Sequence, residues 1–165
     1  MKHALLMTAT LRPPGDAPEL QRTDPALRIK DYLQAFDFYR SLLGTVHSRL
    51  VFADNSDSDC DLFREAARND PRITVLSFQA NDHDPTYGRG YGEFRLIDEA
   101  IRQCPGLLTN YDRCWKVTGR YMIHNLGQIV SRSDPDAPLV MHCRNRKRYW
   151  ADLYLRGWTP VVTSD

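Results

Sequence analysis

Two cations and a hydroxyl alternate along one short apolar run: Lys116, Thr118 and Arg120 within Trp115-Lys116-Val117-Thr118-Gly119-Arg120-Tyr121. Side chains alternate along an extended chain, so these three share a side if the whole segment is strand. Burying two positive charges among apolar neighbours is costly unless an anion pairs with them. That anion is either a ligand or an internal carboxylate such as Asp98 or Glu99. A diphosphate would suit a lysine point charge and a forked guanidinium. Three further clusters also sit just after apolar runs. Thr8-Ala9-Thr10 with Arg12 offers hydroxyls and a guanidinium to a base, ribose or phosphate, the alternative being plain strand threonines and a surface arginine. Asp54-Asn55-Ser56 offers a carboxylate to a nucleobase imide or a ribose hydroxyl. Gly88-Arg89-Gly90-Tyr91-Gly92-Glu93 offers backbone N–H groups, a helix N-terminus and the Arg89 charge to a diphosphate, the alternative being a surface loop.

Some chemistries are excluded by spacing. The glycine stretch is not a dinucleotide-binding fingerprint, because a long polar loop separates it from the preceding strand, and it lacks the Gly-Lys-Ser/Thr of a P-loop. Asp57, Asp59 and Asp61 are either oxygen ligands for a divalent cation or helix caps. They do not match an EF-hand loop, since no glycine and terminal glutamate follow at the required offsets. Cys60, Cys104, Cys114 and Cys143 stand far apart with no zinc-ligand spacing and read as reduced thiols. The general-base candidates are Glu93, Asp98 and His142.

The elements that must position these residues follow from hydrophobic patterning. The chain has 165 residues, 42% hydrophobic and 26% charged, which fits one folded domain spanning 1–165. Lys and Arg number 22 against 21 acids, so no global field favours nucleic acid or an anionic membrane, and an anion site has to be local. The apolar opening Ala4 to Leu11 is too short and threonine-rich for a signal segment and reads as a buried strand. No stretch approaches the roughly 18 apolar residues of a membrane span, so the reading is cytoplasmic, with peripheral membrane contact left open. Pro13 to Pro25 reads as a loop or lid. Helices are expected over 26–43, 57–69, from near Glu93 to Pro105, and over about 122–132. Strands are expected at about 4–10, 49–54, 72–78, 113–118 and 139–142. Arg144 to Arg148 reads as a charged surface loop or an acceptor contact. The alternation of strand and helix predicts an α/β fold with a mainly parallel sheet flanked by helices. Thr10, Asp54 and Lys116 are then expected to open on one edge, where ligands bind in such sheets.

The combination resembles bacterial glycosyltransferases of the GT-A type, in particular the surface-polysaccharide or lipopolysaccharide group. The residues that carry the likeness are Asp54-Asn55-Ser56, the run from Gly88 to Ala100 (GRGYGEFRLIDEA), and Lys116-Val117-Thr118-Gly119-Arg120-Tyr121. It covers about residues 4 to 160, in matching order and spacing. The resemblance implies a GT-A-like, Rossmann-like fold and transfer of a sugar from a nucleotide-sugar donor to a glycan or lipid-linked acceptor. Thr8, Ala9, Thr10, Arg12, Asp54, Asn55 and Ser56 would cradle the nucleotide. Arg89, Gly90, Gly92, Lys116 and Thr118 would meet the diphosphate and sugar, with Glu93 and Arg120 as catalytic residues. GT-A enzymes usually hold a metal with an Asp-x-Asp motif at the fourth strand, where this chain has Lys116 to Arg120. No cofactor is therefore expected, and a divalent cation is not required. Members of the group commonly continue well past the fifth strand, so the chain reads as a short or truncated member. A non-catalytic nucleotide- or sugar-binding module is the other reading.

Overall fold

A computed structural model describes residues 1–14, 24–147 and 150–158. The first strand, β1 (His3–Ala9), is an apolar run buried on both faces, as a central parallel strand must be. The 13–25 segment, expected to be a loop, lies largely outside the described residues. Helix α1 (Pro25–Ser41) starts where Asp24 accepts hydrogen bonds from the Ala26 and Leu27 N–H groups and Pro25 sets the first turn. Strand β2 (Arg49–Asp54), helix α2 (Asp61–Ala67) and strand β3 (Ile73–Ser77) follow. A short 3-10 turn (Pro85–Tyr87) leads into α3 (Gly88–Gln103) and α4 (Gly106–Thr109). The chain continues through β4 (Arg113–Thr118), α5 (Leu126–Arg132), β5 (Leu139–Lys147) and β6 (Trp150–Trp158).

One six-stranded sheet has the order β3-β2-β1-β4-β6-β5. Strands β3, β2, β1 and β4 are mutually parallel, while β6 runs antiparallel to both β4 and β5. The period-two alternation of each strand sorts the core into two layers. Leu5, Met7, Leu50, Phe52, Trp115 and Val117 face α1, α2 and α5. On that side Phe52 stacks on Phe63 at 4.2 Å, and Phe36 meets both rings edge-on. Ala4, Leu6, Val51, Ala53 and Cys114 face the other way, against Leu96, Ile97 and Ala100 of α3 and Leu107 of α4.

Several expectations are corrected. Helix α2 begins at Asp61 rather than Asp57, and Asp57 has φ 48°, in the left-handed region. Asp57 therefore caps nothing; Asp59 accepts the Asp61 N–H at 2.8 Å instead. Helix α3 begins at Gly88, so the glycine-rich stretch is its first turns rather than a loop. Helix α5 starts at Leu126 rather than 122. Strand β5 runs on through Arg144, Asn145, Arg146 and Lys147, which were expected in a loop, and Arg148 lies outside the described residues. Strand β6 was not foreseen. Among the described residues no helix is long and apolar enough to cross a membrane.

Candidate functional site at the carboxyl ends of the parallel strands

Because β1, β2 and β4 are parallel and in register, their carboxyl ends lie on one edge: Ala9 opposes Asp54, and Thr8 opposes Thr118. Asp54 is fully buried, so its charge has to be met by donors. It accepts hydrogen bonds from Leu11 N–H at 2.7 Å and from Ser56 N–H and Ser58 N–H at 3.2 Å each. The Ser56 hydroxyl adds a fourth at 2.8 Å and Ser77 a longer one at 3.4 Å. This binding of the 56–58 backbone is why no helix starts at Asp57. The Asp54 carboxylate, expected at a base or ribose, is turned inward onto these donors. Asn55 is also enclosed, accepting from Thr10 Oγ1 at 2.7 Å, and its N–H donates to Ala9 C=O at 3.1 Å. What remains at the rim is Thr10, Ser56 and the exposed Arg12, whose N–H donates to Ser56 Oγ at 3.0 Å. Ala9 is buried in the sheet and contributes backbone alone.

A second cluster sits on the α3 side of the sheet. Lys116 is 1% exposed, and its ammonium donates to Glu93 Oε1 at 2.7 Å and to Thr118 Oγ1 at 3.0 Å. Thr8 Oγ1 donates to the same Glu93 oxygen at 2.9 Å. The anion that Lys116 requires is thus internal, and it is Glu93 of α3. Asp98 and Glu99 are paired with Arg102 instead. Glu93, 31% exposed, is the member of the cluster that reaches solvent. Lys116, expected at the diphosphate, is enclosed and bonded to Glu93 and Thr118. Lys116 shares its side of the sheet with Cys114 and Leu6, whereas Asp54 shares the opposite side with Phe52. The single crevice expected to hold Thr10, Asp54 and Lys116 together is accordingly split across the sheet edge.

Arg120 does not continue the alternation of β4. The strand ends at Thr118, and a turn closed by Tyr121 N–H to Thr118 C=O at 3.1 Å holds Gly119 and Arg120. Arg120, half-buried, lies within charge range of Arg28 and Tyr32 of α1, and Glu93 lies within charge range of the same Tyr32. Arg28 is 2% exposed and donates to Thr10 C=O and to the Tyr32 hydroxyl. That hydroxyl accepts from Thr10 N–H at 3.2 Å. Burial pulls the Arg28 pKa below its usual value, with the neighbouring Arg120 charge adding to the effect. Burial likewise holds the Tyr32 phenol above its ordinary pKa and keeps it neutral. Among the described residues no carboxylate forms an ion pair with Arg120. The reading of the sequence missed Arg28 and Tyr32. The signal was an arginine at position 28, in the stripe 28, 32, 35, 36, 39 that α1 buries.

The glycines have packing reasons. A Cβ on Gly119 would lie 2.4 Å from Thr8 C=O and 2.8 Å from the Tyr32 ring. Gly119→Ala is expected to cost about 1–3 kcal/mol, because a backbone carbonyl and a buried ring have to give way; a melting curve matching that of the wild type overturns this. A Cβ on Gly92 would meet the His83 ring at 2.5 Å, so that residue lets the 81–84 loop close on α3, while Gly90 faces open space. Both lie within the helix rather than forming a phosphate loop. The side chains of Arg89 in α3 and of His142 and Cys143 in β5 lie outside the described residues.

No family model matches the chain, and no curated protein matches it in sequence. A solved structure from Desulfovibrio desulfuricans G20, provisionally named a nucleotide-diphospho-sugar transferase, is similar at 13% identity with a TM-score of 0.51. The alignment covers 97% of this chain and 64% of that one, so this chain spans a little under two thirds of the neighbour's length. At that identity the likeness bears on architecture alone. The chain has an α/β fold with a mainly parallel sheet flanked by helices, similar to that of the transferase structure.

Proposed function

We propose that this chain binds a nucleoside-diphosphate sugar at the carboxyl edge of β1, β2 and β4 and transfers its sugar to a hydroxyl of a glycan or lipid-linked acceptor. The pathway that fits is cell-surface polysaccharide synthesis in the cytoplasm, where the earlier motif resemblance points. The observation that carries the reading is Arg120, half-buried just after β4 at the open ends of parallel strands and within charge range of the buried Arg28; among the described residues no carboxylate is ion-paired with Arg120. Ligands of open α/β sheets bind at that edge. Fixed cations there stabilise the charge that builds on a departing diphosphate.

In the transfer, the acceptor oxygen forms a bond to the anomeric carbon as the bond from that carbon to the diphosphate oxygen breaks, and the electron pair leaves on the diphosphate. Arg120 meets that charge. Thr10, Ser56 and Arg12 contact the nucleoside from the rim. The acceptor proton goes to Glu93, held by Lys116 and Thr8 so that its carboxylate is oriented before substrate arrives. The end of β4 presents an ammonium paired to one carboxylate, not the paired carboxylates that suit a divalent cation. Donor binding is expected to persist in EDTA.

One observation favours the second reading, a module that binds without transferring. Glu93 Oε1 is already engaged by Lys116 and Thr8, so the lone pairs that a general base needs are occupied on that oxygen. The test of binding is a thermal-shift screen of UDP-, GDP- and CMP-sugars in EDTA, since a ligand specific to the native state raises Tm. Arg120→Ala is expected to weaken the responding nucleotide sugar about ten- to a hundredfold while leaving the bare nucleoside unchanged. Equal loss of both, or of neither, removes Arg120 from the diphosphate. Binding without any donor hydrolysis or transfer identifies the module.

A further inference from the structure

The outer side of α3 carries a feature that the strand-end site does not use. Tyr87, Tyr91 and Phe94 stand at i, i+4 and i+7, one stripe of a helix, and are 64%, 44% and 53% exposed. The Tyr87 and Tyr91 rings lie 5.0 Å apart, tilted by 50°, and His83 meets Tyr91 at 5.2 Å from the preceding loop. The cluster is braced. Gly92 admits the His83 ring against the helix, Arg95 pairs with Asp82 at 2.9 Å, and Asn81 Nδ2 donates to Arg12 C=O at 3.2 Å. These contacts tie the rings to the end of β1, and Glu93 projects from the same two turns of α3.

Adjacent aromatic rings as exposed as Tyr87 and Tyr91 mark a binding site more often than chance. The charge around it selects the occupant. Asp82 and Asp98, on the loop before α3 and on α3 itself, are paired with Arg95 and Arg102, and Asp84 accepts from Thr86, so these charges are balanced within the chain and neither arginine is left over for an anion. Such a surface disfavours a phosphate or an anionic lipid headgroup. It suits a neutral ligand whose C–H face rests on an electron-rich ring while its hydroxyls meet carboxylate, amide and imidazole groups. A pyranose is such a ligand. We propose that Tyr87 and Tyr91, with Phe94 and His83 at their sides, form a subsite for a neutral pyranose ring of the acceptor, beside Glu93. The word acceptor rests on the transfer reading above, but the binding of a neutral saccharide does not.

The test is saturation-transfer NMR on the full chain with methyl β-glucoside, methyl β-galactoside and their β1,4-linked disaccharides, alongside the nucleotide-sugar thermal shift. The wild type is expected to show transfer to the axial C–H protons of at least one saccharide. Tyr87→Ala/Tyr91→Ala is expected to lower that affinity by about tenfold or more, because two ring faces are lost, while Tyr87→Phe/Tyr91→Phe retains it. Both positions are exposed, and unchanged melting curves show that the variants fold. Nucleotide-sugar binding is expected to be unaffected in either variant. Saccharide binding lost with the rings but no nucleotide-sugar binding in the wild type overturns the donor reading and leaves this subsite standing. No transfer to any saccharide, or transfer equal in the alanine variant, overturns the subsite. Co-sedimentation of the wild type, but not the alanine variant, with phosphatidylglycerol vesicles in the absence of a saccharide signal overturns it in favour of a membrane.

Discussion

Asp54→Ala is expected to destabilise the chain by about 3–4 kcal/mol, with the melting temperature falling by roughly 10 °C for a domain of this size. The loss comes from the donors left behind. The N–H groups of Leu11, Ser56 and Ser58 all end on the Asp54 carboxylate in a site the solvent does not reach. An orphaned buried N–H costs about 1–3 kcal/mol, reduced where the loop relaxes to admit water. Asp54→Asn fares little better, since one oxygen becomes an amide that aims N–H toward other N–H groups. Thermal and urea melts at neutral pH read the effect. A variant that melts like the wild type but loses nucleoside binding would place Asp54 in contact with ligand and reverse the role given to it here.

The pair Glu93 and Lys116 should respond asymmetrically. Glu93→Leu strands the Lys116 ammonium at 1% exposure, and removing one partner of a buried ion pair costs about 3–5 kcal/mol. Lys116→Met leaves a carboxylate that is 31% exposed and can be hydrated, so the cost is nearer about 1 kcal/mol. The double variant Lys116→Met/Glu93→Leu is expected to recover most of the loss, ending within about 1 kcal/mol of the wild type, because two matched apolar side chains replace the pair. A double-mutant cycle from urea unfolding gives the coupling directly. Additive costs would mean that the 2.7 Å contact carries no energy. Every variant that lacks Glu93 is expected to lose transfer whatever its stability, which separates the chemical role of the residue from its structural one.

The parallel half of the sheet was legible from residues 4–10, 49–54, 72–78 and 113–118, because a strand buried on both faces is a short unbroken apolar run. Helix α1, expected over 26–43 and observed at Pro25–Ser41, was legible because apolar periodicity is local. The start of α3 was not. Glycine disfavours helix by itself, and it took the burial of Leu96, Ile97 and Ala100 against the sheet, with His83 seated on Gly92, to wind residues 88–92 into its first turns. Strand β6 escaped for a related reason, as it is defined by pairing with β4 and β5 and not by a run of its own.

The site divides along the same line. Lys116 announced itself in the sequence as a cation needing an anion, because the cost of burying charge is the same in any fold. Which anion answered it was decided by α3 crossing the ends of β1 and β4, bringing Glu93 from 23 positions away to 2.7 Å. Likewise the sequence marked Asp54 as a polar strand end. Only the tertiary structure determined that the loops after β1 and β2 fold over it, so that its lone pairs are filled by the chain itself rather than by a ligand. Residue types set which interactions a group must satisfy; long-range packing chooses the partner, because loop closure brings groups together that local pattern cannot relate.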